Sequence, residues 1–138
     1  MAIEYGIDAG HRLLLMKGNG ILTVEDILGY LRDVLARPEV AGCNELLELS
    51  EVQEVVLTTM GKMQLFAQLA KGLGAASATK LAIVAKNDMA SGLGKLFEMY
   101  SSMQGGNAKQ VGIFGSMAEA LSFLNIDGTP VITSALVV

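Results

Sequence analysis

The chain has 138 residues, enough for one domain that buries its core without a metal or disulfide staple. With one Cys (Cys43) and one His (His11) it forms no internal disulfide, no Cys/His zinc site and no histidine pair. A net charge of −4 is the wrong sign for a phosphate-neutralising surface, which excludes nucleic acid as the expected partner.

Hydrophobic period and turn residues order the elements. Residues Ile3 to Ile7 alternate, Asp8-Ala9-Gly10 supplies turn chemistry, and Arg12 to Lys17 carries an apolar run, so a β-hairpin opens the chain. Gly18-Asn19-Gly20 reads as the break that ends it. Thr23 with Asp26 resembles a capping box, and Val24, Ile27, Leu28, Leu31, Val34 and Leu35 predict a helix over 23–36, closed by Pro38. Leu46 to Val52 reads as a strand. Met60, Met63, Phe66, Leu69 and Leu73 are the expected core face of a helix over 57–72. Lys80 to Lys86 is short, apolar and β-rich, the mark of a strand covered on both faces, and is placed at the sheet centre. Met89, Leu93, Leu96, Phe97, Tyr100 and Met103 predict a helix over 89–104. Gln110 to Phe114 is a further strand, and Ser116 with Glu119 caps a helix over 116–124.

The order is ββαβαβαβα plus a tail: an α/β domain over 1–125 and an extended tail over 126–138. It implies a mixed, mostly parallel sheet of five strands, only the first antiparallel, with about four helices. Charged residues are 17% of the chain, where about 25% is usual, and hydrophobic residues are 51%. No stretch reaches the roughly 18 uncharged apolar residues of a spanning helix. Glu4 and Asp8 stand where a signal peptide carries Lys or Arg. A soluble, cytoplasmic chain with surplus apolar surface is expected, most simply a homodimer. The strand-like segment Val131 to Val138 is expected to cover a sheet edge or helix face, preferably on the neighbouring subunit.

Candidate motifs for catalysis fail on spacing. Ser91-Gly92-Leu93-Gly94-Lys95 is no phosphate loop: Met89 occupies the first glycine position and Leu96 the hydroxyl position, so its glycines read as close-approach points on a helix. Gly72 to Ser77 follows a helix rather than a strand, so it is no dinucleotide fingerprint. His11 reads as a solvated turn residue, and Cys43 as a thiol with no basic neighbour to activate it. Glu45, Glu48, Glu51 and Glu54 recur every third residue, which on a strand scatters them over both faces instead of building a metal cage; most are expected to be solvated, with Glu48 alone inward or partly covered. The reading is therefore of no enzyme, no cofactor and no metal.

Leu46 to Leu65 resembles the signature of STAS domains, the fold of bacterial anti-sigma-factor antagonists. In that family a strand ending in Asp/Glu-Leu-Ser leads to Asp-Ser-Ser-Gly at a helix start. Glu48-Leu49-Ser50 and Val52 match the first part. With one inserted residue, Thr58 and Thr59 take the hydroxyl positions, Leu57 replaces the acid and Met60 the glycine; with two, Gly61 fits and a hydroxyl is lost. Tyr5 to Asp8, Arg12 to Gly18, Gly20 to Asp26, Leu81 to Ala85, Gly92 to Glu98 and Val111 to Phe114 with Ala118 to Ala120 are similar to the SpoIIAA-like branch of uncharacterised bacterial proteins. The resemblance spans about 120 residues. It implies the STAS fold and a regulatory role, and the related lipid-binding CRAL-TRIO domains keep an apolar ligand in play.

Two functions follow. The first is a non-enzymatic interaction module that docks another regulatory protein through the loop after the third strand, with Thr58, Thr59 and Ser50 as candidate phospho-acceptor or docking residues. The bland role of a Thr there is simply to cap the helix. The second is a binder of a small apolar molecule, with the pocket at the carboxyl ends of the parallel strands or beneath the third helix. Met60, Met63, Met89, Leu93 and Phe97 would line the pocket, and Ser50, Asn87, Asp88 and Ser91 would orient a head group.

Overall fold

The structure is a computed structural model that describes residues 2–70, 79–104 and 110–137, with side chains described for all of these but Phe66, Leu69, Ala70 and residues 97–104. Strands β1 (Ile3–Asp8) and β2 (Leu13–Thr23) form the expected antiparallel hairpin, Ile3 opposite Gly18 and Asp8 opposite Leu13. Strands β3 (Asn44–Val56), β4 (Lys80–Val84) and β5 (Gln110–Phe114) then add in parallel to β2. Among the described residues the sheet has six strands where five were expected, in the order β5-β4-β3-β2-β1-β6. The sixth, β6 (Ser134–Leu136), comes from the tail and runs antiparallel to β1, so β1 alone opposes the rest.

Four expectations are corrected here. The tail pairs with β1 of its own chain and covers that edge, rather than reaching a neighbour. Strand β4 is covered on both faces but lies one strand from the edge, because the hairpin and tail extend the sheet on the far side. Gly18-Asn19-Gly20 does not end β2. The strand passes through these residues with register shifts between Lys17 and Asn19 and between Gly20 and Ile21. A Cβ on Gly18 would sit 2.7 Å from Val52 Cγ2, and Gly20 has φ +67°, so the glycines let β2 follow the two bulges of β3. Finally, α2 (Thr59–Ala70) buries Gly61 and Leu65, one turn apart, while Met60 and Met63 of the expected core face stand exposed. Gly61 decides this orientation: a Cβ there would lie 2.7 Å from Val24 Cγ2, so glycine is what lets α2 close on the helix before it.

That helix, α1 (Val24–Gly29), starts at the expected capping box, with the Asp26 N–H donating to Thr23 Oγ1 (3.4 Å) and the Thr23 N–H to Asp26 Oδ2 (2.8 Å). It continues as a π-helical turn over Tyr30–Val34. Helices α3 (Asn87–Gln104) and α4 (Met117–Phe123) follow, α4 capped by Ser116. Leu14, Met16, Leu22, Leu49, Val52, Leu81 and Ile83 form the main core on one face of the sheet with Val34 and Leu93. Val24, Leu28, Leu31, Leu65 and Leu96 join α1, α2 and α3 above it. On the opposite face Leu13, Leu46, Ala82 and Val84 pack against Ala120 and Leu124. Among the described residues no helix is long and apolar enough to cross a membrane.

Candidate functional site

The carboxyl ends of the parallel strands are uneven. Strand β4 pairs only with Glu45–Glu48 of β3, so β3 outruns it from Leu49 to Val56. Beside this overhang lies a cleft of about 370 Å³, lined by Ser50, Glu51, Val52 and Gln53 on one side and Lys86, Asp88 and Met89 on the other. Two register shifts each give β3 one residue more than β2, so Leu49, Val52 and Val55 all reach the core at a spacing of three.

The expected ligand residues fall in separate places. Ser50, Asp88 and Met89 line this cleft, while Asn87 and Ser91 are exposed on the first turns of α3 beside it. Leu93 lies instead in the core, at an apolar cavity of about 60 Å³ that also touches Leu65, Leu81, Leu96 and Val111. Met60 and Met63 point to solvent from α2, 72% and 65% exposed. The side chain of Phe97 lies outside the described residues.

Thr58 caps α2. Its Oγ1 accepts from the Gly61 N–H at 3.0 Å, and its carbonyl from the Lys62 N–H at 2.9 Å. Gly61, whose N–H Thr58 caps, is also the residue at which the helix packs closely on Val24. Thr59 is exposed on the first turn. The Ser50 hydroxyl donates to Glu48 at 2.8 Å.

Two ionisable groups, Glu45 and Cys43, differ from expectation. Glu48 is partly covered, as expected, but Glu45 is not solvated: it is buried at 1% exposure and accepts from the Tyr30 hydroxyl. Cys43 does have a basic neighbour, Arg12, yet burial outweighs that charge and pushes the thiol pKa up. His11 stands exposed in the hairpin turn, as expected, and is held to Asp8: its Nδ1 lies 2.6 Å from Oδ2, and its backbone N–H donates to Oδ1 at 3.1 Å. The same Asp8, 3% exposed, accepts from the Val131 N–H at 2.9 Å and so clasps the tail to the hairpin. Thr133 completes the clasp, its N–H donating to the Ile7 carbonyl at 2.7 Å while its Oγ1 accepts from the Ala9 N–H at 3.0 Å. The sequence shows Asp8 only as turn chemistry, because Val131, the donor that ties it to the tail, lies 123 residues away. Among the described residues no three His, Cys, Asp or Glu side chains are grouped to hold a metal.

No family model matches the chain, and no curated protein matches it. A solved structure does: an uncharacterised protein of the DUF3478 family with a SpoIIAA-like fold from Shewanella loihica PV-4. It is 19% identical, with a TM-score of 0.54, and the match covers 89% of this chain and 94% of the other. Strand order, helix placement and this match together identify the fold as SpoIIAA-like.

Proposed function

We propose that this chain is a cytoplasmic, non-enzymatic interaction module of the regulatory kind, which docks a protein partner through the start of α2. The observation that carries the reading is the exposure of Met60 and Met63, one turn apart and flanked by exposed Thr58 and Thr59. Paired methionines on a surface are adaptable apolar anchors, and neighbouring hydroxyls give a rim to orient a partner. A second copy of the chain is the simplest partner, another regulatory protein the next. Phosphate on Thr58 or Thr59 would meet a favourable helix dipole, but Thr58 would give up its cap and Glu51 and Glu54 would repel the charge.

Sedimentation velocity at micromolar concentration tests the reading. A dimer that Met60→Lys/Met63→Lys converts to monomer supports it. A monomeric wild type removes the second copy as partner, and a dimer unchanged by the double variant removes α2 as the interface.

One observation favours the second reading, a small apolar ligand: the wholly apolar cavity beneath α3. At about 60 Å³ it is smaller than the ~150 Å³ cavity that accepts benzene, so only a ligand of a few heavy atoms fits without helix movement. Native mass spectrometry of the purified protein separates the readings. A retained small molecule supports the ligand, and bare protein mass supports the docking module.

A further inference from the structure

A parallel strand turns the N–H and C=O groups of alternate residues toward each neighbour, so a strand that outruns one neighbour leaves half of those groups unpaired on that side. This is the state of β3. Its segment Leu49–Val56 pairs with β2, but no described residue pairs with its other edge. The overhang is eight residues long, or roughly 26 Å at about 3.3 Å per residue. It is not a loose end, because Leu49 (1% exposed) and Val52 (3%) anchor it in the core. The 370 Å³ cleft lies along this edge, bounded across the gap by Lys86, Asp88 and Met89.

The charges along the edge select its occupant. Glu51 and Glu54 are exposed on the overhang, Glu48 stands at its start, and Asp88 faces it across the cleft. Lys86 lines the cleft, and Lys17 reaches Glu51 at 3.5 Å, which leaves acids in the majority. If a second copy paired β3 with β3 about a two-fold axis, one row of glutamates would face another, and like charges directly opposed destabilise a strand pair. The same acids attract lysine and arginine. We propose that the open edge of β3 accepts an extended, Lys/Arg-bearing segment of another protein, which adds as a further strand in line with β4. The proposal does not rest on docking at α2.

A fluorescent octapeptide of repeating Lys-Val-Lys-Thr is a suitable probe, read by anisotropy with the full chain. The expected result is saturable binding that falls at least tenfold for a Glu-Val-Glu-Thr peptide. It should fall as far when alternate residues of the Lys peptide are N-methylated, which removes backbone donors and keeps the charge. Glu51→Lys/Glu54→Lys should also weaken it at least tenfold, and Met60→Lys/Met63→Lys should leave it unchanged. On binding, amide exchange should slow within residues 49–56. Absence of binding by the Lys peptide, or full binding by its N-methylated form, would overturn the proposal without relying on any variant fold. Loss of binding in the Met60/Met63 variant alone would move the site to α2. A dimer dissociated only by Glu51→Lys/Glu54→Lys would seat a second copy on the edge and overturn the proposal too.

Discussion

Asp8→Asn is the sharpest probe of how the tail is held. The carboxylate is 3% exposed and receives three contacts, the His11 N–H on Oδ1 and the His11 ring and Val131 N–H on Oδ2. Asparagine keeps the shape but presents one accepting oxygen, so at least one donor meets an amide NH₂ and the rest lose a charged acceptor. Hydrogen bonds to a charged group contribute about 1.5–3 kcal/mol, so the variant should lose about 2–3 kcal/mol. For a chain of this size that lowers the melting temperature by about 10 °C.

The pH dependence separates this cause from a general loss of packing. The His11 ring, followed by the Val131 N–H, pulls the Asp8 pKa from 3.8 to about 2. The folded pKa lies below the unfolded one, so the ionised form favours folding. Its contribution is complete above about pH 4 and is lost as pH falls toward 2. Urea denaturation followed by circular dichroism should therefore show wild type more stable than Asp8→Asn above about pH 4, with the gap narrowing as pH falls to 2. Amide exchange at Val131 and Thr133 should be faster in the variant at neutral pH. Equal stability at pH 7, or a gap that persists undiminished at pH 2, would refute the clasp.

Three further outcomes are expected. Thr58→Ala should cost about 1 kcal/mol in urea denaturation through loss of the α2 cap, while Thr59→Ala should stay within about 0.5 kcal/mol; equal effects would contradict the capping assignment. Gly61→Ala places a Cβ 2.7 Å from Val24 Cγ2 and 2.9 Å from Thr58 Oγ1. The overpacking should cost about 1–3 kcal/mol in spite of the better helix propensity, and a raised melting temperature would disprove the contact. Truncation after Asp127 removes β6 and opens the edge of β1, so the urea midpoint should fall and association should grow with concentration; an unchanged midpoint would mean that β6 contributes nothing.

Element order was legible because each helix and strand kept its own period and punctuation. Thr23 with Asp26 and Ser116 with Glu119 are local signals, and the helices start where those signals stand. Faces were harder. On α2 a methionine stripe and the buried Gly61 and Leu65 compete for the inward side, and close packing on Val24 decides it, a contact between residues far apart in sequence. The candidate ligand pocket failed to assemble for the same reason, since Leu93 turned into the core while Met60 and Met63 turned outward. The glutamates at every third position looked like scatter. Leu49, Val52 and Val55 carry the same spacing, and together the two series are what a strand with two bulges produces.

The two ends of the sheet carry different demands. Asp8, the first residues of β2 and Asn44 lie at the amino ends of the parallel strands, where the clasp closes the hairpin, the tail and the edge of β1. The β3 overhang and its cleft lie at the other end; Glu51 is seven residue steps along β3 from Asn44, roughly 23 Å. A free edge invites aggregation, and this fold removes one by recruiting the tail as β6. The β3 edge receives no such cover from any described residue and carries acidic side chains instead. Acids on an exposed edge deter a second acidic copy and leave the backbone groups open to a basic strand. The contrast between a covered edge and a charged one is therefore the physical reason to seek a partner at β3 rather than at β1.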